Sequence, residues 1–329
     1  MVKERLLDVQ NLEMTFFTDE GAIKAVDGLS FELHEGETLA IVGESGCGKT
    51  VTSLSLLRLI PYPPGKITGG RIFYRDTALL ELKEKDMRKI RGNAISMIFQ
   101  EPMTSLNPVF TVGKQIMESL QYHQEMTKQQ ARERAVEMIQ LVGIPMPEKC
   151  IANYPHQLSG GMRQRVMIAM ALACNPRILI ADEPTTALDV TIQAQILRLM
   201  MELKKKINTS IILITHDFGV VAQIADRVMV MYAGEAVEYG DVRSIFKNPL
   251  HPYTKGLLRS LPKIREDQEK LYNIKGSVPS PKNYPAGCRF SPRCEQATER
   301  CIAQKPDLSG ISAGRQVRCR LYERGDGIG

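Results

Sequence analysis

Apolar and polar positions along the first hundred residues alternate at short range, a pattern that predicts strands. Leu12 to Phe17, Ser30 to Leu33 and Thr38 to Val42 read as three of them, and Gly69 and Gly70 mark a turn into a fourth at Arg71 to Tyr74. A further short apolar run, Ala94 to Phe99, precedes a change of period. From Val112 to about Gly143 the apolar residues recur at helical spacing: Ala135, Met138, Ile139 and Val142 share a face, and Thr127 with Gln130 makes a capping box. A strand and helix rhythm then returns. Strands are expected at Ile178 to Ala181, Ile211 to Thr215 and Arg227 to Tyr232, with a helix at Ile192 to Lys206. These strands are continuous apolar runs, as parallel strands covered on both faces require, so the expected class is α/β. After about residue 240 the pattern dissolves into a polar tail with Pro249, Pro252, Pro262, Pro279, Pro281, Pro285 and Pro292. Such a tail predicts short elements held together by something other than a core.

Composition narrows the picture a little. With 329 residues the chain has material for about two domains. Lys plus Arg number 43 against 37 Asp plus Glu, a net charge of +6. That mild excess suits solvated surface, phosphate ligands or an anionic membrane face; it is no nucleic-acid signature. The longest apolar run, Val166 to Cys174, is about half of the ~18 residues that a membrane span needs, and reads as a buried helix. The N-terminus has no apolar signal-peptide core. The chain is therefore expected in the cytosol, with any membrane role acting through partners.

Chemistry enters with Gly43, Glu44, Ser45, Gly46, Cys47, Gly48, Lys49 and Thr50, which match GxxxxGK[ST] in full and, with Val51, stand between an expected strand and helix. Glycines let the backbone wrap phosphates, Lys49 reaches the β- and γ-phosphates of ATP, and the Thr50 hydroxyl suits Mg²⁺. At the end of the strand beginning at Ile178 stand Asp182, suited to Mg²⁺, and Glu183, suited to polarising an attacking water as general base. Without the glycine loop this pair would read as a solvated acidic turn. Gln100 suits a position facing Mg²⁺ and water, and His216 is placed to reach a γ-phosphate. Between these motifs lies Leu158-Ser-Gly-Gly-Met162, where Ser159, Gly160 and Gly161 offer a hydroxyl and bare N–H groups to an anion at a helix start. The plainer alternative is that Ser159 only caps the helix. Asp189, after Thr186-Ala187-Leu188, has the same two readings: a residue at a dimer seam, or an N-cap. Phe16 suits stacking on adenine, or packing as an edge-strand core aromatic.

The seven cysteines are unevenly placed, with Cys288, Cys294, Cys301 and Cys319 grouped in the tail. Four thiolates suit tetrahedral Zn²⁺ or a [4Fe–4S] cluster. Spacings of five, six and seventeen residues lack the tight C-x2-C knuckles of zinc sites, which favours iron–sulfur. A metal staple would supply folding energy to a tail with little core.

From about residue 5 to 260 the chain resembles the nucleotide-binding subunits of ATP-binding cassette (ABC) transporters, with every motif of that family in order. Met162 stands where many members have Gln, and Phe16 where Tyr is common. The resemblance implies a P-loop ATPase core, RecA-like α/β with an antiparallel β subdomain, over 1–105 and 165–245. It further implies a helical subdomain with the signature motif over 106–164, and a small metal-stapled C-terminal extension over 246–329. It implies a sandwich of two chains, in which ATP on one subunit is capped by Ser159, Gly160, Gly161 and Asp189 of the other. Phe99 to Pro108, Tyr154-Pro-His-Gln-Leu158 and His251-Pro-Tyr-Thr254 are similar to the dipeptide/oligopeptide importer branch, in particular its D-type ATPase subunit. That likeness implies a [4Fe–4S] cluster on the four tail cysteines and a second, homologous ATPase as heterodimeric partner. It also implies two transmembrane permease subunits, an extracytoplasmic peptide-binding protein, and a peripheral position on the cytoplasmic face of the cell membrane. The run from Glu101 to Pro108 would form the groove for the permease's coupling helix. Nickel, glutathione or an oligosaccharide as cargo stays open, as does, more remotely, a soluble ABC ATPase outside transport.

Overall fold

A computed structural model describes residues 4–100, 105–185, 189–261 and 272–323. Residues 101–104 and 186–188, parts of two motifs read above, lie outside the described residues. In chain order the strands are β1 (Arg5–Thr18), β2 (Gly21–His34), β3 (Thr38–Val42), β4 (Gly65–Tyr74), β5 (Thr77–Ala78), β6 (Ile95–Ile98), β7 (Ile178–Asp182), β8 (Ser210–Ile214), β9 (Arg227–Tyr232), β10 (Glu235–Asp241), β11 (Ser309–Ser312) and β12 (Arg315–Val317). The principal helices are α1 (Lys49–Leu56), α2 (Glu84–Ile90), α3 (Val112–Gln124), α4 (Lys128–Leu141), α5 (Gly160–Leu172), α6 (Val190–Ile207), α7 (Phe218–Ile224), α8 (Val242–Lys247), α9 (Pro252–Arg259) and α10 (Glu299–Ala303). Among the described residues no helix is long and apolar enough to cross a membrane.

The chain divides into two compact units. One comprises Met1–Leu7, Leu33–Glu37 and Tyr74–Ile214. Its strands β6, β7 and β8 are parallel, with Ile95 opposite Ile178 and Ile178 opposite Ser210. Every residue of β7 and β8 is buried, which is why these segments read as unbroken apolar runs. The helical stretch is divided by Glu125, whose left-handed backbone (φ 51°) ends α3. Thr127 and Gln130 then start α4 with the expected reciprocal capping box. Ala131, Ala135, Met138 and Ile139 form the buried stripe of α4, at the three- and four-residue spacing of a helix packed on one side. Helix α5 is buried along most of its length from Val166 to Leu172.

The second unit comprises Asp8–Glu32, Thr38–Phe73 and Thr215–Gly329. Here β3 runs parallel to β9, with Leu39 opposite Arg227, and β9 is antiparallel to β10. Beyond β10 the tail continues the sheet: β12 pairs antiparallel with β10, and β11 with β12. The tail also enters the core. Tyr253, Ile274 and Phe290 are buried with Val42, Val230, Tyr232 and Phe218, and Tyr284, Cys288 and Cys294 pack against that cluster. This differs from the expectation of a tail without a core. Its apolar residues are too sparse to show a period, yet they converge on β9 and β10 by long-range pairing.

Candidate active site

In the second unit β3 ends at Val42 and delivers the glycine loop into α1. Gly43, Gly46 and Gly48 all have positive φ, at 155°, 76° and 101°. A β-carbon on Gly43 would lie 2.2 Å from the carbonyl oxygen of Met231, and one on Gly48 would lie 2.6 Å from that of Ala25. Glycine is therefore required by both conformation and space. Gly48 caps α1 with no side-chain hydrogen bond, so the helix starts on bare backbone. Ser45 and Gly46 are exposed, whereas Lys49 is buried and its Nζ donates to the carbonyl oxygens of Gly43 (2.8 Å) and Glu44 (3.0 Å). Glycine turns, a helix N-terminus and a lysine at its first residue make an anion cradle. Burial pushes the Cys47 thiol up, which keeps it protonated inside the loop. His216 lies exposed just ahead of α7, and Phe16 sits half-buried in β1 with its ring edge against Gly65.

In the first unit β7 carries Asp182 to its end, 1% exposed. Glu183 follows with a left-handed backbone (φ 46°), uncommon for a residue with a side chain and held by an N–H to Ile214 carbonyl hydrogen bond of 2.9 Å. Its Oε2 accepts a 3.0 Å hydrogen bond from the Gln100 amide, beyond the end of β6. Sequence spacing placed these two residues 83 positions apart, and the parallel pairing of β6 with β7 brings them together. Ser159 caps α5, accepting from the Met162 N–H at 3.4 Å, and Ser159 and Gly160 are exposed at the helix start. Asp189 caps α6, accepting from the Ile192 N–H at 2.9 Å, and is also exposed. Both residues are thus caps, which leaves their outward faces open to solvent.

Comparison with known proteins shows the family. Residues 26–186 match the ABC transporter family, and residues 237–301 match the oligopeptide/dipeptide transporter C-terminal region. The chain is 58% identical over 318 residues to the oligopeptide transport ATP-binding protein AppD of Bacillus subtilis, covering 97% of each. It is 50% identical to the dipeptide transport ATP-binding protein DppD of Escherichia coli, over 95% of this chain and 96% of that protein. The protein belongs to the ATP-binding subunits of the dipeptide/oligopeptide ABC transporter family. The bacterial ABC transporter cassette MJ0796, solved as a dimer, superposes with a TM-score of 0.64 at 30% identity, over 72% of this chain and 99% of that one. Membership in this ABC family carries ATP binding and ATP hydrolysis.

The ABC subunit carries residues around these motifs that motif reading passes over. Gln164, 1% exposed on α5, donates its amide to the Pro184 carbonyl, one residue beyond Glu183. Its only sequence signal is a lone amide within a helix otherwise buried by apolar side chains. Tyr253 and Arg293 reach the glycine loop from the tail: the Tyr253 hydroxyl accepts from the Glu44 N–H (2.9 Å), and Arg293 forks onto the Glu44 carboxylate (2.7 and 3.1 Å). Nothing in the spacing of the chain signals either contact. In the first unit, Phe110, Lys114, Met117, Tyr122 and Ile151 line an open groove beside α3.

The four tail cysteines share one small cavity in the second unit, walled also by His251 and Phe290. Burial pushes the thiols of Cys288, Cys294 and Cys319 up, with mutual repulsion among the group adding to it, and Cys319 reaches about 11. By chemistry alone, four cysteines in one cavity form a donor set of the kind that holds Zn²⁺ or a [4Fe–4S] cluster. Among the described residues, however, no three or more His, Cys, Asp or Glu side chains are gathered as a metal site.

Proposed function

We propose that this subunit hydrolyses ATP to power import of dipeptides or oligopeptides through a membrane permease, on whose cytoplasmic side it sits peripherally. The observation that carries the catalytic reading is the Gln100–Glu183 hydrogen bond, which orients a carboxylate held in a strained backbone. Glu183 would take the proton from the attacking water. His216 would hydrogen-bond the γ-phosphate, while Lys49 and the loop N–H groups from Gly43 to Val51 neutralise and orient the phosphates. Phe16 would stack on the adenine. Thr50, Gln100 and Asp182 would hold Mg²⁺, which offsets phosphate charge as it develops.

Ser159, Gly160, Gly161 and Asp189 would serve ATP bound to a second, homologous ATPase, so the functional unit is a heterodimer on two permease subunits. The exposure of Ser159, Gly160 and Asp189 at helix starts supports that role, and the groove beside α3 would offer the permease a docking surface. The chain would divide into a core (1–105, 165–245), a helical subdomain with the signature motif (106–164) and a tail (246–329). Cys288, Cys294, Cys301 and Cys319 would hold a [4Fe–4S] cluster, with Zn²⁺ the alternative; their shared cavity supports ligation. An anaerobic preparation of the chain is expected to absorb near ~400 nm, and a colourless zinc-loaded one would contradict that assignment. The cargo is tested in vesicles carrying both ATPases, the permeases and the binding protein. ATP-dependent uptake of a labelled dipeptide or oligopeptide is expected, and uptake of nickel or glutathione alone would overturn it.

A further inference from the structure

The tail of this subunit holds the phosphate loop at Glu44. Glu44 is the second residue of the glycine loop, and both its ends are held from beyond residue 250. Its N–H donates to the Tyr253 hydroxyl at 2.9 Å. Its carboxylate receives both guanidinium nitrogens of Arg293, at 2.7 and 3.1 Å, the forked geometry that only arginine supplies. Arg293 is itself fixed. Its Nε donates to the Lys275 carbonyl (3.1 Å), and its terminal nitrogens also reach the Ile274 carbonyl (3.3 Å) and the Tyr232 hydroxyl (3.4 Å). The Arg293 side chain is 5% exposed, so this ion pair is shielded from water on the arginine side.

The supports of the two contacts are shared. Phe290 packs edge-on against Tyr232 and tilted against Tyr253, with ring centroids 5.2 and 5.4 Å apart. Phe290 also walls the cysteine cavity, and Cys294 follows Arg293 directly in the chain. Loop, aromatic box and cysteine cavity are thus successive layers of one packed region within the second unit.

We propose that Arg293 is a positioning residue for ATP binding: with Tyr253 it clamps Glu44, so that the cysteine-bearing tail sets the conformation of the phosphate loop. The proposal rests on the reading of residues 43–51 as the ATP site. A glycine-rich loop costs conformational entropy to order, and a clamp outside the loop meets that cost before nucleotide arrives. The tail then contributes to affinity for ATP while touching no part of the nucleotide.

The test is Mg-ATP binding to the full-length chain, followed by ATP turnover in the assembled transporter. Arg293→Gln and Glu44→Gln each weaken binding and raise KM about tenfold while kcat stays within about twofold, since a lost ground-state clamp acts on binding. The double variant is no weaker than either single one, because both remove the same contact. Glu44→Gln keeps the size of the side chain and leaves the tail's packing intact, so it decides the matter if Arg293→Gln fails to fold. Lys305→Gln removes a different tail ion pair, to Asp27 and Glu235, and leaves ATP affinity unchanged. Unchanged affinity in Glu44→Gln, additive losses in the double variant, or an equal loss in Lys305→Gln would each overturn the proposal. A wild-type chain that fails to bind Mg-ATP, or binding that survives Lys49→Ala, would instead sink the nucleotide-site reading beneath it.

Discussion

Gly43 has no room for a side chain: the carbonyl oxygen of Met231 occupies the place of its β-carbon at 2.2 Å, and its φ of 155° is open to few other residues. Replacing Gly43 by Ala is expected to cost about 3 kcal/mol of stability by forcing loop and strand apart. Thermal melting and Mg-ATP binding check it, and a variant that melts and binds as the wild type does would contradict the loop geometry. Glu183 presents the opposite case, a side chain kept in a left-handed conformation that glycine would adopt more readily. Retaining strain of that kind at the end of β7 fits a residue whose carboxylate must stand in one place. The glycine loop and the acidic pair were legible because their chemistry is written in contiguous residues. Gln164 and Arg293 were not, nor was the contact that Tyr253 of the His251–Thr254 motif makes with Glu44, since each acts through a partner remote along the chain.

Among the elements, the tail shows best how short segments without a period are held. Arg315 joins β12 to β10 by donating to the buried carboxylate of Glu238, 77 positions away, which also accepts from the N–H groups of Leu250 and His251. The helices and parallel strands of the core were legible from period and apolar run, whereas β10, β11 and β12 were not. Those strands are short and partly polar, and β12 reaches β10 only by long-range pairing. A second anchor is Asp27 of β2, which meets Arg289 (2.5 Å), Lys305 (2.9 Å) and Lys24 (3.1 Å). Burial alone would push its carboxyl up, but Lys305, Lys24 and Arg289 outweigh it and hold the group well below the usual carboxylate range. A folded-state value depressed below the unfolded ~3.9 gives stability that is present above about pH 4 and lost as pH falls below it. Asp27→Asn is therefore expected to melt at a lower temperature than the wild type at pH 6, and the gap should begin to narrow below about pH 4 and go on narrowing below pH 3. A gap that stays constant over that range would show that Asp27 does not anchor the tail by charge.

At the scale of the molecule, the proposed function gives the subunit two sets of groups with different owners. Lys49, Thr50, Asp182 and Glu183 would serve the nucleotide bound to this chain, while Ser159, Gly160 and Asp189, exposed at helix starts, and the half-buried Gly161 would serve a partner's. Activity is then a property of the assembled pair, and the tail adds a support for the loop that the generic cassette motifs do not include. The most direct test is the fate of ATP on this chain within the reconstituted transporter carrying Glu183→Gln, with nucleotide crosslinked to this subunit and identified after turnover conditions. The expected result is ATP retained unhydrolysed on this chain, with hydrolysis there reduced at least about a hundredfold. Recovery of ADP on this chain at the wild-type rate would contradict the account.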